Sequence, residues 1–459
     1  MMPYQEAIEY LYGLQRFGIK LGLQNMVRLM EALGRPHQQF ASILIAGTNG
    51  KGSTAALLAS ILKAAGYKVG LYTSPHLLDF HERVLIDGLP LPQDEIARLI
   101  EEVRSAIQHA FPAVGRQPSA VSRRPSQDLT PYPQNLLSPS PTFFEASTAL
   151  AFLAFARKQV DYAVVEVGLG GRFDATNVLV PNVSVITNIS LEHQEYLGNT
   201  LGEIAFEKAG IIKEGGKVVT AAEAFEALVV IEQIARERNA LLFKVQERFR
   251  CQAKRLDLEG QVFDLLGGER EYRDLVIRLL GRHQIMNAAT AVAAVLLLPD
   301  ARISEEAIVQ GLREARWPGR LQIVEREPLV ILDGAHNPAG ASTLAAFIQG
   351  CLPSRRIVLV FGVLKDKDWE GMLSRLGPLA SMVILTKPES DRAADPRDLT
   401  SVDRYCPKLE IQLDVKEALA LAKETADPGD VILVAGSLFT VASALKALGI
   451  QEVFRRGGP

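Results

Sequence analysis

Gly47-Thr48-Asn49-Gly50-Lys51-Gly52-Ser53 decides how this chain is read. The stretch follows an apolar, strand-like run, Ile43-Leu44-Ile45-Ala46, and opens into a helix-like segment at 54–65. Its three glycines let backbone N–H groups curl inward toward an anion, Lys51 adds charge, and Ser53 offers a hydroxyl to a metal. Thr48, Asn49, Gly50, Lys51, Gly52 and Ser53 are therefore the candidate nucleotide-phosphate residues. The loop departs from a strict P-loop, because GxxxxGK[ST] would place glycine at 45 and Ser/Thr at 52, where Ile45 and Gly52 stand. That misfit, together with the lack of a guanine-reading NKxD motif, argues against an ordinary P-loop kinase or GTPase.

Working outward, short β-rich runs alternate with helical ones from residue 40, the pattern of parallel βαβ units. Strands are expected at 42–46, 67–72, 161–167, 183–188 and 216–220, with a helix at 143–158 that is apolar all round and so should be buried. Residues 112–141 break the rhythm with seven prolines and five serines, too little apolar surface to offset ordering entropy. They read as a mobile insertion. The region 240–280 carries short β-like pieces, at 241–245 and 261–266, that suggest a small antiparallel insertion. After a helical segment at 303–315, Trp317-Pro318-Gly319-Arg320 reads as a hinge. Strands near 329–333, 356–361, 382–386 and 431–435 then make a second α/β unit. The expected fold is α/β, with an N-terminal P-loop-type ATPase domain (1–316) on a mostly parallel sheet and a smaller Rossmann-like domain (317–459).

Bulk composition narrows the class. A chain of 459 residues with 48% hydrophobic and 22% charged residues has ample core for two or three domains. A net charge of −3 gives no basic field for nucleic acid or a membrane surface. Three scattered cysteines without a CxxC pair exclude a disulfide framework and a zinc knuckle. The N-terminal residues lack the form of a signal peptide, and no apolar stretch is long enough to span a membrane, so a cytoplasmic enzyme is expected.

The chemistry-bearing residues sit where strands end. Glu166 follows Val164 and Val165 and precedes Gly168, which places a carboxylate at the carboxyl end of a central strand, where open α/β sheets bind ligands. Mg²⁺ takes hard oxygen ligands and keeps waters, so few such groups suffice. The loop Gly168-Leu169-Gly170-Gly171-Arg172-Phe173-Asp174-Ala175-Thr176-Asn177 suits an acidic substrate. His193 stands 27 residues after Glu166, near the exit of the following strand, and its neutral imidazole can bind a divalent ion. Lys208 taken alone is a lysine in a mostly apolar helix, the usual setting of a snorkelling surface residue. In Leu332-Asp333-Gly334-Ala335-His336-Asn337-Pro338 a strand ends in acid and histidine before a helix. Asp333 suits a ribose hydroxyl and His336 a polar contact, while Asn337 and Pro338 suit a helix cap, and the two uses are compatible. With Asn287 and Arg320 this suggests ATP held between domains.

The series of motifs resembles the Mur-ligase superfamily and, within it, the folylpolyglutamate synthase/dihydrofolate synthase family. It runs in order through GTNGKGS, Thr73-Ser74-Pro75-His76-Leu77, Phe80-His81-Glu82-Arg83 and Thr142-Phe143-Phe144-Glu145. VEVGLGGRFDATN, ITNIS with Glu192-His193, EKAGI, GRHQIMNAATA, WPGR, LDGAHNP and Asp366-Lys367-Asp368 complete it. The resemblance implies two Mg²⁺ sites, one served by Ser74, Glu166 and His193, the other by Lys208 as a carbamate. It implies that Asn287, Arg320, Asp333 and His336 hold ATP, and that Phe80, Arg83, Thr142, Phe144, Asp174 and Ala175 line a pteroate or folate site. The implied reaction is ATP-dependent addition of L-glutamate to dihydropteroate or a reduced folate through an acyl phosphate, by a monomer. A folylpolyglutamate synthase alone, or another Mur-type amino-acid ligase, is the alternative. Members commonly carry aspartate before the metal histidine, where this chain has Glu192, and commonly run shorter than 112–141.

Overall fold

The computed structural model describes residues 2–18, 22–111, 140–268 and 270–454. All of the insertion at 112–141 except Ser140 and Pro141 lies outside the described residues.

The first sheet has eight strands, β1 (Ala41–Ala46), β2 (Val69–Tyr72), β3 (Val84–Ile86), β4 (Leu89–Pro90), β5 (Tyr162–Glu166), β6 (Val183–Ile186), β7 (Lys217–Thr220) and β8 (Leu241–Lys244). Their order is β4-β3-β2-β5-β1-β6-β7-β8. Six strands, from β2 to β8 across the sheet, are mutually parallel, and the β3–β4 hairpin adds an antiparallel edge. Alternate residues of the central strands face opposite cores, as the pleat requires. Leu44, Ala163 and Val165 face the helices Tyr4–Gly13, Gln93–Ala110 and Phe143–Lys158. Ile43, Ile45 and Val164 face Lys51–Ala64, His283–Leu296 and Glu305–Glu314. The helix Phe143–Lys158 is buried without a break from Glu145 to Phe155, which explains its lack of a polar face.

β9 (Arg250–Asp257), β10 (Gly260–Leu266) and β11 (Tyr272–Ile277) form a separate antiparallel sheet in the order β11-β10-β9. The small antiparallel insertion therefore exists, but its expected first piece does not belong to it. Residues 241–244 are β8, paired parallel with β7 at the edge of the main sheet. That strand is short and only partly buried, so its side chains do not distinguish the two settings.

The third sheet is β12 (Gln322–Arg326), β13 (Leu329–Leu332), β14 (Ile357–Phe361), β15 (Met382–Lys387), β16 (Leu409–Asp414) and β17 (Val431–Ala435), in the order β12-β13-β17-β14-β15-β16. Five strands are parallel and β12 is antiparallel at one edge. No helix among the described residues is long and apolar enough to cross a membrane.

Candidate active site

Because β1, β2, β5 and β6 run parallel, their carboxyl ends bring the 47–53 loop, Ser74, Glu166 and the segment 187–193 to one edge. β1 lies between β5 and β6, so the glycine-rich loop leaves the middle of this edge. Gly47 and Gly50 adopt φ of 145° and 84°, which side chains rarely tolerate. A Cβ on Gly47 would also overlap the Thr187 hydroxyl, and one on Gly50 would lie 2.5 Å from Asn287 Oδ1. The exit of β6 pins the loop. Thr48 N–H donates to the Asn188 carbonyl at 2.8 Å, Asn49 N–H to Asn188 Oδ1 at 2.7 Å, and the Thr187 hydroxyl to the Asn49 carbonyl at 2.7 Å.

The helix Lys51–Ala64 begins directly from this loop. Its first-turn amides have no intrahelical acceptors and, with the dipole, favour an anion. Lys51 Nζ bends back to the carbonyls of Gly47 (3.0 Å) and Thr48 (3.1 Å). Ser53 is buried and accepts from Gln284 Nε2 at 3.3 Å, while Asn287 Nδ2 donates to Gln284 Oε1 at 2.8 Å. Gly52 packs under Trp317, where a Cβ would come within 2.8 Å of the indole Nε1.

Lys208 is not a surface lysine. It is 5% exposed and donates to the same Gly47 carbonyl at 2.8 Å. Burial, and then the charge of Lys51, push its amine down to about 7, against the pull of Glu192 and Asp174. Glu166 is buried and accepts the Ser74 N–H at 3.1 Å. Burial raises its pKa and Lys51 opposes the rise. Burial likewise pushes His193 down to about 4, which keeps a neutral imidazole, and its φ of 52° lets it end one segment and start the helix Gln194–Leu197. Among the described residues no three His, Cys, Asp or Glu side chains cluster as a metal cage. The hydroxyls of Ser53 and Ser74, the Glu166 carboxylate and His193 still fit Mg²⁺, which takes one or two carboxylates and completes its shell with phosphate oxygens and water.

The third sheet brings its carboxyl ends to the same place. Asp333 is buried and holds the turn, accepting Leu321 N–H at 2.9 Å and Ala335 N–H at 2.8 Å. Burial raises its pKa, and Arg320 is the first influence against it. Asn337 caps the helix Pro338–Cys351 through Gly340 N–H at 2.7 Å, and its Nδ2 donates to Asn49 Oδ1 at 3.0 Å. The cap and the contact with the nucleotide loop thus coexist in one residue. His336 Nε2 meets Glu192 Oε1 at 3.1 Å.

The residues expected around a pteroate lie beside β2 and β5. Arg83 is buried, donates from Nε to His76 Nδ1 at 2.9 Å, and lies 5.2 Å from the Phe143 ring centre and 5.7 Å from that of Phe80. Arginine cannot accept, so His76 Nδ1 must be unprotonated. Burial pushes that histidine down to about 3. Phe144 packs on Gly168, and Ala175 is buried. Thr142 and Asp174 carry local duties: Thr142 caps its helix through Glu145 N–H (3.2 Å), and Asp174 accepts from Leu169 N–H (2.9 Å) and Thr176 N–H (3.0 Å). His76, Phe143 and Tyr12, stacked on Phe143 at 5.4 Å, were missed as residues of this region. The motif signal existed for His76 and Phe143, whereas nothing near Tyr12 marked it.

The chain matches the Mur ligase middle domain over residues 131–295 and the Mur ligase glutamate ligase domain over residues 319–438. Those matches define the class as a Mur-type ligase. A Bacillus subtilis dihydrofolate synthase/folylpolyglutamate synthase is 37% identical over 449 residues, covering 97% of this chain and 99% of that protein. An Escherichia coli FolC structure in complex with DHPP and ADP has a TM-score of 0.84 at 31% identity, covering 98% of each chain. A bifunctional folylpolyglutamate synthase/dihydrofolate synthase from Yersinia pestis, complexed with AMPPNP and Mn ion, has a TM-score of 0.82 at 31% identity, also covering 98% of each. The chain belongs to the dihydrofolate synthase/folylpolyglutamate synthase family.

Proposed function

We propose that this protein is an ATP-dependent acid–amino-acid ligase that adds L-glutamate to a pteroate or folate carboxylate, acting as both dihydrofolate synthase and folylpolyglutamate synthase. The observation that carries the reading is the meeting of Lys51, Lys208 and Glu166 at the glycine-rich loop, facing Arg320, Asp333 and His336 from the other half. The division falls between residues 316 and 317, and the enzyme works as a cytoplasmic monomer. Lys51 neutralises the terminal phosphate while the substrate carboxylate attacks it, giving ADP and an acyl phosphate. The glutamate amine then attacks the acyl carbon and phosphate leaves. Positioning and charge neutralisation account for the acceleration. Mg²⁺, held by Ser53, Ser74, Glu166 and His193 and by Lys208 as a carbamate, would supply charge neutralisation at the phosphates. Asn287, Arg320, Asp333 and His336 orient the nucleotide. Phe80, Arg83, Phe144 and Ala175 shape the pteroate side, with Thr142 and Asp174 bracing its walls.

The test is ADP release with ATP, Mg²⁺ and glutamate, with dihydropteroate and a reduced folate offered separately and products identified by mass. Turnover of both is expected. Turnover of the reduced folate alone would leave a folylpolyglutamate synthase, and turnover of neither would remove folates as substrates.

A further inference from the structure

Glu192 lies in the segment after β6, and its side chain is only 9% exposed. From the other half of the chain its Oε1 meets His336 Nε2 at 3.1 Å and Lys367 Nζ at 3.5 Å, and within its own half it lies 3.9 Å from His193 Nε2. His336 follows β13 and Lys367 follows β14, the strands on either side of β17. The Lys367 side chain is itself only 13% exposed, and its other acidic neighbour, Asp366, is 3.6 Å away. Nearby, Asn337 reaches Asn49 at 3.0 Å, so the same two halves also touch at the nucleotide loop. A carboxylate this buried gains little net stability from its partners, but losing one of them leaves its charge poorly compensated. Such a cluster tolerates few relative placements of the elements that carry it.

We propose that Glu192 is a cross-domain positioning residue, which grips His336 and Lys367 so that the second half closes over the reacting phosphate. The proposal rests on the ligase reading above. Closure decides the fate of the acyl phosphate. Attack by the glutamate nitrogen forms the C–N bond, breaks the C–O bond to phosphate and sheds an amine proton. Attack by water instead forms a C–O bond and returns the free acid with phosphate, so ADP appears without amide. A loosened grip admits water and shifts this partition.

The experiment measures ADP and amide together for wild type, Glu192→Gln, Glu192→Asp, Lys367→Met and the double variant Glu192→Gln/Lys367→Met, with thermal midpoints recorded alongside. Wild type should make close to one ADP per amide. Glu192→Gln and Lys367→Met should each raise that ratio by about fivefold, with the double variant no worse than the worse single. Glu192→Asp, which keeps the charge, should recover part of the coupling. A merely structural loss lowers both products together and leaves the ratio unchanged. Coupled turnover in Glu192→Gln, or single effects that multiply in the double variant, overturns the proposal alone. A wild type that forms no amide with either pterin substrate overturns the ligase reading and this proposal with it.

Discussion

Lys208→Ala tests the chemistry of the site most directly. The wild-type amine is buried against the Gly47 carbonyl and held at about 7, against an ordinary value of 10.5. At pH 7 roughly half of these amines are then neutral, compared with roughly 0.03% of ordinary lysines. Only a neutral amine adds carbon dioxide, so burial raises the reactive fraction by about a thousandfold. A carbamate formed there would keep an N–H for the Gly47 carbonyl, and its carboxylate would lie in the field of Lys51. Removing it should lower kcat by about a hundredfold or more, and added acetate or formate should restore part of the rate. Coupled ADP release with and without the acid measures this, and ¹³C-bicarbonate labelling of the wild type reads the adduct by NMR. A pH signature follows from the same shift. The native pKa lies below the unfolded one, so the unfolded chain binds more protons between pH 7 and 10.5, and stability rises with pH across that window. The rise from this group is at most about 4–5 kcal/mol, and it should vanish in Lys208→Met. Wild-type turnover in Lys208→Ala, or identical pH–stability curves for wild type and Lys208→Met, would refute the reasoning.

Gly52→Ser, which restores the P-loop hydroxyl, should raise KM for ATP and lower the thermal midpoint, because its Cβ meets Trp317 Nε1 at 2.8 Å. Overpacking of this kind costs about 1–3 kcal/mol, and Trp317→Phe in the same chain should relieve part of it. His76→Ala leaves the buried Arg83 Nε without its acceptor, a loss of about 1–3 kcal/mol. Its expected mark is a higher KM for dihydropteroate with KM for ATP unchanged. Since burial holds His76 at about 3, the wild-type pH–rate profile should show no step from it between pH 5 and 9.

The central strands of both large sheets were legible because each is a short apolar run bounded by turn residues, from Ile43-Leu44-Ile45 to Val431-Ile432-Leu433. The edges were not. β12 and β16 carry charged residues and are mostly half-buried, and the β3–β4 hairpin is too short to show alternation. The strand-end residues Glu166, His193 and Asp333 could be picked out because a charged or imidazole group beside an apolar run needs a reason. Burial of Lys208 could not be read locally, since its partner Gly47 lies 161 residues away. The same holds for Glu192, which as a sequence feature was a mild substitution of acid for acid. Its partners are 144 and 175 residues distant, and only the apposition of the two sheets reveals that its side chain reaches across.

The misfits of the glycine-rich loop now have a physical cause. Ile45 cannot be the first glycine of a P-loop, because β1 is still in register there: it pairs with Glu166 in β5 and is fully buried in the core beneath Lys51–Ala64. The turn therefore begins later, at Gly47, and is tighter. Gly52 cannot carry the usual hydroxyl, because Trp317 occupies that space, so the hydroxyl moves to Ser53, where Gln284 contacts it. Asn49 is met by Asn337 from the far side. A self-contained P-loop would leave these positions to the nucleotide and the metal. Here the hinge presses on Gly52 and the second half on Asn49, so the loop's conformation and the placement of the second half are set together. That arrangement suits a reaction whose intermediate must meet an amine before it meets water.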